Sequence, residues 1–136
     1  MKGNIAVFLA TVVLVVAWTG TGTTEEVSVE SLPPSVIKTV PTCGDTQVPA
    51  DTEQIKVTFS KDMMDKSWSF TQISKESFPE IVGQPRYLED QRTCVLNVKL
   101  EPDKTYVIWL NSQKYRNFKD TSGKSAVPYL LVFKTK

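Results

Sequence analysis

The chain has 136 residues, 40% of them hydrophobic and 23% charged, and its formal net charge is +1. This length and composition predict one globular domain with a single core rather than a disordered chain. The near-neutral charge argues against a nucleic-acid partner, and the absence of histidine removes the usual hydrolase base and the usual zinc ligand. We expect no catalytic residue, no metal ligand and no cofactor, although calcium and lysine, tyrosine or carboxylate chemistry remain open on composition alone.

Residues 1–22 have the layout of a secretory signal peptide. Lys2 precedes an apolar run at residues 5–18, and small residues follow at 19–22. The run is shorter than the roughly 20 apolar residues that a membrane span requires. We expect cleavage near the end of this segment, giving a secreted, periplasmic or cell-envelope protein. The alternative is an uncleaved leader, which would make the membrane a partner only through that anchor.

Residues 23–33 are rich in threonine, glutamate and serine, and their few apolar residues follow no convincing period. Such a segment is typical of a flexible tether. From residue 34 to 136 the pattern changes, because apolar residues recur with period two in short blocks separated by turn residues. No window in this part carries a helical stripe, so we expect an all-β domain.

The predicted strands follow one another closely along the chain. They lie at residues 36–40, 48–49, 55–59, 68–73, 94–100, 106–110 and 129–135, with a loosely paired stretch at 78–87. The strand at 55–59 is the clearest, since Ile55, Val57 and Phe59 alternate with Lys56 and Thr58. About seven short antiparallel strands without long helices predict an immunoglobulin-like β-sandwich.

Three groups of residues carry motifs beyond the period-two alternation. The proline-bounded strand at 34–41 and the segment from Ile55 to Met63, with its "V-x-F-S-x-x-M" pattern, resemble the opening of the family of bacterial Ig-like domains of the SbsA type. Leu100, Pro102 and Tyr106 resemble its "L-x-P-x-x-x-Y" turn. The third group resembles its "D-x-x-G-N" turn and final strand, and consists of Asp120, Gly123, Phe133 and Thr135.

The resemblance covers roughly residues 33–136 and implies an Ig-like sandwich with Tyr106 at the start of a late strand. A tyrosine there can bury its ring while its hydroxyl bonds backbone at the corner. We expect Tyr106, Phe59 and Trp68 to be structural anchors in the core. Such domains usually serve as spacers or accessory modules beside enzymes or surface proteins, so the implied function is a structural, adhesion or accessory role.

One sheet is predicted to be apolar on both faces. If alternate residues of the strand at 106–110 face inward, the others face outward, and the last strand behaves in the same way. The outward residues would be Val107, Trp109, Leu130 and Val132, with Tyr115 in the adjoining loop. This composition is typical of a surface that binds a protein or a cell-envelope component. Alternatively, the tether or the segment 118–127 covers this face.

The two cysteines, Cys43 and Cys94, could form a disulfide in an oxidising compartment. In an Ig-like sandwich, however, the first strand and the strand carrying Cys94 would flank the same middle strand. They would lie about 9 to 10 Å apart, which is too far for an undistorted bridge. The alternative is a buried free thiol at Cys94.

Acidic residues at Glu89, Asp90 and Asp120 could converge on a calcium ion at one end of the sandwich. The segment from Asp120 to Gly123 lacks the dense aspartate spacing of a calcium loop and serves equally well as a turn. We therefore expect turns rather than a metal site.

The sequence favours a non-catalytic exported module for protein–protein or cell-envelope interaction. A second possibility is a small secreted inhibitor or accessory subunit whose loop at Lys114, Tyr115 and Arg116 enters a partner's groove. An enzyme would need a lysine, a tyrosine and an acid converging in a pocket, and nothing in their spacing indicates this.

Overall fold

The computed structural model describes Gly3 and residues 26–136, and residues 26–136 fold into eight short strands. The predicted signal peptide lies outside the described residues, apart from Gly3. The strands are β1 Val36–Val40, β2 Gln54–Phe59, β3 Phe70–Gln72, β4 Glu80–Ile81, β5 Arg86–Tyr87, β6 Thr93–Lys99, β7 Thr105–Leu110 and β8 Tyr129–Lys134. Within this part of the chain, no helix is long and apolar enough to cross a membrane.

The strands form two antiparallel sheets. In the first sheet the order is β1-β2-β6-β4, with β5 also paired to β6, and in the second it is β3-β7-β8. This confirms the predicted all-β, immunoglobulin-like sandwich. The loosely paired stretch at 78–87 forms two strands of two residues each, which both pair with β6 at different positions along it.

The core lies between the two sheets and follows the period-two alternation. Ile55, Val57 and Phe59 of β2 are fully buried, whereas the residues between them are half-buried. The ring centroid of Phe59 lies 5.0 Å from that of Phe118, which also lies 5.0 Å from Phe70 of β3. The three rings therefore tie the first sheet to the edge strand of the second.

Tyr106 lies at the corner between β6 and β7. Its ring is buried and stacks on Phe133 at a centroid distance of 5.5 Å. Its hydroxyl accepts a hydrogen bond of 2.7 Å from the backbone N–H of Glu101. This is the tyrosine corner of Ig-like sandwiches, in which one side chain supplies apolar area and satisfies a turn amide.

After β1 the chain leaves the first sheet and runs along the outer edge of β8. The Gly44 N–H donates to the Val132 carbonyl at 2.6 Å, and the Lys134 N–H donates to the Asp45 carbonyl at 2.8 Å. Val48 continues this contact, since it forms a parallel bridge with Thr135. Gly44 has a φ of +88°, a left-handed conformation in which glycine is unstrained.

The last residues of the predicted tether are bound to the domain. The Lys61 ammonium donates to the carbonyl oxygens of Glu30 and Leu32 at 2.9 and 3.1 Å, and that of Lys124 donates to Ser31 at 2.6 Å. Residues 28–31 also form a turn with reciprocal serine hydrogen bonds. Residues 23–25 lie outside the described part of the chain.

Candidate functional site

The outer face of the second sheet carries a continuous row of side chains across its three strands. Trp109 of β7 pairs with Thr71 of β3 on one side and with Leu130 of β8 on the other. Trp109 is half-buried and Leu130 is 37% exposed. The core cluster contains the residues that alternate with Trp109 on β7, so the tryptophan lies on the face opposite the core.

Val107, which we expected to be exposed on this face, is buried with 9% of its surface accessible. The chain after β3 turns back beside β7 here, and the Val107 N–H donates to the Ser77 carbonyl at 2.9 Å. Its partner across the sheet, Val132, is half-buried. The exposed apolar face is therefore smaller than predicted and is centred on Trp109 and Leu130.

The two segments that were considered as covers for this face are engaged in other contacts. Phe118 and Ala126 are buried in the core cluster, and both carbonyls accept hydrogen bonds from the Asn111 side-chain amide at 2.9 and 3.0 Å. The tether bonds this same segment, since the Lys124 ammonium donates to the Ser31 carbonyl at 2.6 Å. Trp109 is thus left half-exposed.

Tyr115 lies in the loop after β7, and it is 47% exposed. The Ser112 N–H donates to the Tyr115 carbonyl at 2.8 Å, and the Tyr115 N–H donates to the Ser112 hydroxyl oxygen at 3.1 Å. At the base of the loop, Asn111 is fully buried, and its side chain forms two hydrogen bonds with the Phe118 backbone and one with the Ala126 carbonyl. The loop therefore presents the tyrosine in a fixed position.

The structure places Tyr115 beside an apolar groove rather than in the row of Trp109. This groove, of about 310 Å³, lies between the β3 edge of the second sheet and the β4–β5 region of the first. We call it the β3 groove. Its lining includes Trp68, Phe70, Ile81, Pro85 and Tyr115.

Sequence reasoning missed the β3 groove because Trp68 was expected only in the core and the stretch at 78–87 had no regular period. Trp68 does pack against the core cluster, but it also lines the groove. The sequence signal that could have found it is the presence of apolar residues at 73–82 that follow no strand period. One of them, Ile81, is 38% exposed and lines the groove.

Asp120, one of the acidic candidates for calcium, is 1% exposed and forms an ion pair of 2.6 Å with Lys61. It also accepts hydrogen bonds of 2.9 Å from the backbone N–H groups of Ser122 and Lys124. Burial alone would raise the pKa of Asp120, but the Lys61 ammonium and these backbone donors hold that pKa below its usual range. The Asp120 carboxylate thus stabilises the turn at residues 120–124, and Lys124 of this turn binds the tether.

Asp90 closes a second turn. It accepts hydrogen bonds from the Thr93 hydroxyl and from the backbone N–H groups of Arg92 and Thr93, which lower the pKa of Asp90. Glu89 beside it is exposed. Within residues 26–136 no three acidic, cysteine or histidine side chains are grouped so that they could hold a metal ion.

The two cysteines are free, with Cys43 exposed and Cys94 buried. Cys94 lies opposite Val57 of β2, and Val57 lies opposite Thr39 of β1. β2 therefore lies between β6, which contains Cys94, and β1, which precedes Cys43. Burial raises the pKa of the Cys94 thiol to about 12, so this group remains protonated and unreactive near neutral pH.

Two antiparallel sheets with their apolar faces packed together and a tyrosine corner define the class of Ig-like sandwich modules. Within this class the chain belongs to the bacterial Ig-like domain family, whose model matches residues 30–135.

Solved structures with a similar fold come from S-layer proteins. A crystal structure of the S-layer protein rSbsC(31-844) is 21% identical, with a TM-score of 0.51 over 79% of this chain and 14% of that one. The N-terminal part of the bacterial S-layer protein SbsC is also 21% identical, with a TM-score of 0.52 over 79% of this chain and 24% of that one. The chain thus spans a quarter or less of these proteins, and the likeness concerns the fold.

No curated protein matches the chain.

Proposed function

We propose that this protein is a non-catalytic exported module that binds a protein or another component of the cell envelope through the outer face of its second sheet. The observation that carries the proposal is the row Thr71, Trp109 and Leu130, which places a half-exposed tryptophan on a rigid sheet. Aromatic residues on such surfaces contribute large contact area at a low cost in conformational entropy. Family membership and the S-layer neighbours support a location in the cell envelope.

Four titratable groups have pKa shifts with structural causes, which agrees with a non-catalytic role. Burial raises the pKa of Tyr87 and that of Cys94, which moves both groups further from titration near neutral pH. The carboxylates of Asp90 and Asp120 have lowered pKa values because they accept hydrogen bonds within turns. These shifts follow from packing and from turn formation, not from a pair of groups adjusted to exchange a proton.

A photo-crosslinking experiment in cells tests the proposal. Trp109 is replaced by a photoreactive phenylalanine derivative, and the control protein carries the same group at Lys56 on the outer face of the first sheet. We expect a defined crosslinked envelope component from position 109 and not from position 56. Equal crosslinking from both positions, or none from position 109, would contradict the proposal.

The exposed Tyr115 favours a second candidate, a small inhibitor or accessory subunit that inserts this loop into a partner. The loop is fixed by its own hydrogen bonds and carries Lys114 and Arg116 on either side of the tyrosine. In that case, crosslinking from position 115 would exceed crosslinking from position 109.

A further inference from the structure

Among residues 26–136, no strand pairs with the outer edge of β3. In the described part of the chain β3 pairs only with β7, and Asn111 donates its N–H to the Ser69 carbonyl at 3.1 Å. Hydrogen-bonded pairs alternate with non-hydrogen-bonded pairs along an antiparallel ladder. Ser69 and Thr71 therefore direct their polar backbone groups toward β7. Phe70 and Gln72 direct theirs away from it, toward the open edge.

This open edge adjoins the β3 groove. Ser69, Phe70 and Thr71 form one wall, and Ile81 and Pro85 of the facing sheet belong to the other. A strand added along Phe70 and Gln72 would place alternate side chains between these walls, because successive side chains of a strand point to opposite faces. The edge thus supplies hydrogen bonds and the groove supplies apolar contact, which are the two components of recognition by strand addition.

Two cations lie in the loop that contributes Tyr115 to the β3 groove. Lys114 and Arg116 flank this lining residue. The Lys114 ammonium lies 5.4 Å from the centroid of the Tyr115 ring. Among residues 26–136, neither of these cations takes part in an ion pair, and the Arg116 guanidinium donates to the Gln113 carbonyl of its own loop at 3.2 Å.

We propose that the β3 edge and groove bind an extended segment of a partner protein in which acidic residues alternate with large apolar residues. The segment adds as a fourth strand beside β3, inserts its apolar side chains between Phe70 and Ile81, and directs its acidic side chains toward Lys114 and Arg116. This proposal rests on the proposed function as a binding module. It gives the module a second surface, which adjoins the row of Trp109 and shares Thr71 with it.

The edge of β1 is less suited to strand addition than the edge of β3. The open edge of β1 carries a bulge between Val36 and Lys38, and it ends at Pro41. A bulge, a lysine and a proline are the features by which edge strands avoid pairing with another chain. The β3 edge has none of them within its three residues.

The test uses the protein purified after export and a synthetic peptide in which valine and phenylalanine alternate with glutamate. Backbone NMR spectra are recorded as the peptide is added. We expect saturable shifts at the amides of Phe70 and Gln72, and slower hydrogen exchange at both, since these amides would become donors. Two matched peptides separate the contribution of charge from that of backbone hydrogen bonds. One has lysine in place of glutamate, and the other is N-methylated at the amides that would pair with β3.

Gln72→Pro removes one backbone N–H donor from the open edge, and Gln72→Ala retains it. We expect Gln72→Pro to weaken peptide binding on the order of tenfold and Gln72→Ala to change it little. Equal binding of the N-methylated peptide, undiminished binding to Gln72→Pro, or the absence of shifts at Phe70 and Gln72 would overturn the proposal. Crosslinking from Trp109 in cells does not depend on this peptide, so the proposed function can stand when the groove proposal fails.

Discussion

The two edges of the β3-β7-β8 sheet differ in how their backbone groups are satisfied. Along β8, residues 44–48 bond the outward groups of Val132 and Lys134. Along β3, no strand of the described chain occupies the outer side. Unpaired edges can pair with other chains, so proteins usually cover or disrupt them. The covered edge therefore contributes to stability, whereas the open edge is available for recognition.

The largest effect is expected from the ring that attaches the open edge to the core. Phe118 contacts Phe59 of the first sheet and Phe70 of β3, so Phe118→Ala should lower the free energy of unfolding by about 3–5 kcal/mol. Hydrogen exchange should increase more at β3 than at β8. Equal increases in both strands would show that the two edges are anchored to the core in the same way.

Proline substitutions at two adjacent positions of β3 should lower the free energy of unfolding by different amounts. Thr71→Pro removes a donor that faces β7 and should lower the free energy of unfolding by about 2–3 kcal/mol. Gln72→Pro removes a donor that faces solvent, so its cost should be below about 1 kcal/mol. Thermal or denaturant unfolding of both variants checks the register. If Gln72→Pro is the more damaging substitution, the assignment of the open edge is wrong.

A smaller effect is expected at the covered edge. Gly44 has a φ of +88°, and a Cβ added there would meet nothing within 4 Å. Gly44→Ala should therefore cost about 1–2 kcal/mol, entirely through backbone strain. Faster hydrogen exchange at the Lys134 amide should accompany it, because residues 44–48 would hold β8 less firmly. The same substitution at Gly83, which has a φ of +70° and lies away from β8, serves as the control for backbone strain alone.

The smallest effect is expected at an exposed ion pair on the covered strand. A hydrogen bond from Lys134, at 2.8 Å, and its positive charge hold the pKa of Asp103 below its usual range. Any stability from this pair is present above the ordinary pKa of aspartate and is lost as the pH falls through the lowered value. Carboxyl NMR titration should show the pKa of Asp103 rising toward the ordinary value in Lys134→Met. An unchanged pKa would mean that the pair does not persist in solution.

Much of the fold could be predicted because its determinants are local. The alternation of Ile55, Val57 and Phe59 identifies a half-buried strand wherever that strand lies, and the family pattern around Tyr106 identifies the corner. The candidate site was harder to predict. The alternation on β7 indicated the outward direction of Val107 and Trp109, but it could not indicate that the chain at Ser77 lies beside Val107 and leaves it buried.

The sequence by itself determined the strand pattern, the two apolar faces that form the core and the membership in a family of bacterial Ig-like domains, because period-two alternation and turn residues act within a few positions. Only the tertiary structure decided which edge is covered and where the β3 groove lies. Gly44 meets Val132, and Phe70 lies across a groove from Ile81, through contacts between residues that are distant in sequence. Such contacts depend on how the two sheets pack, which no local pattern specifies.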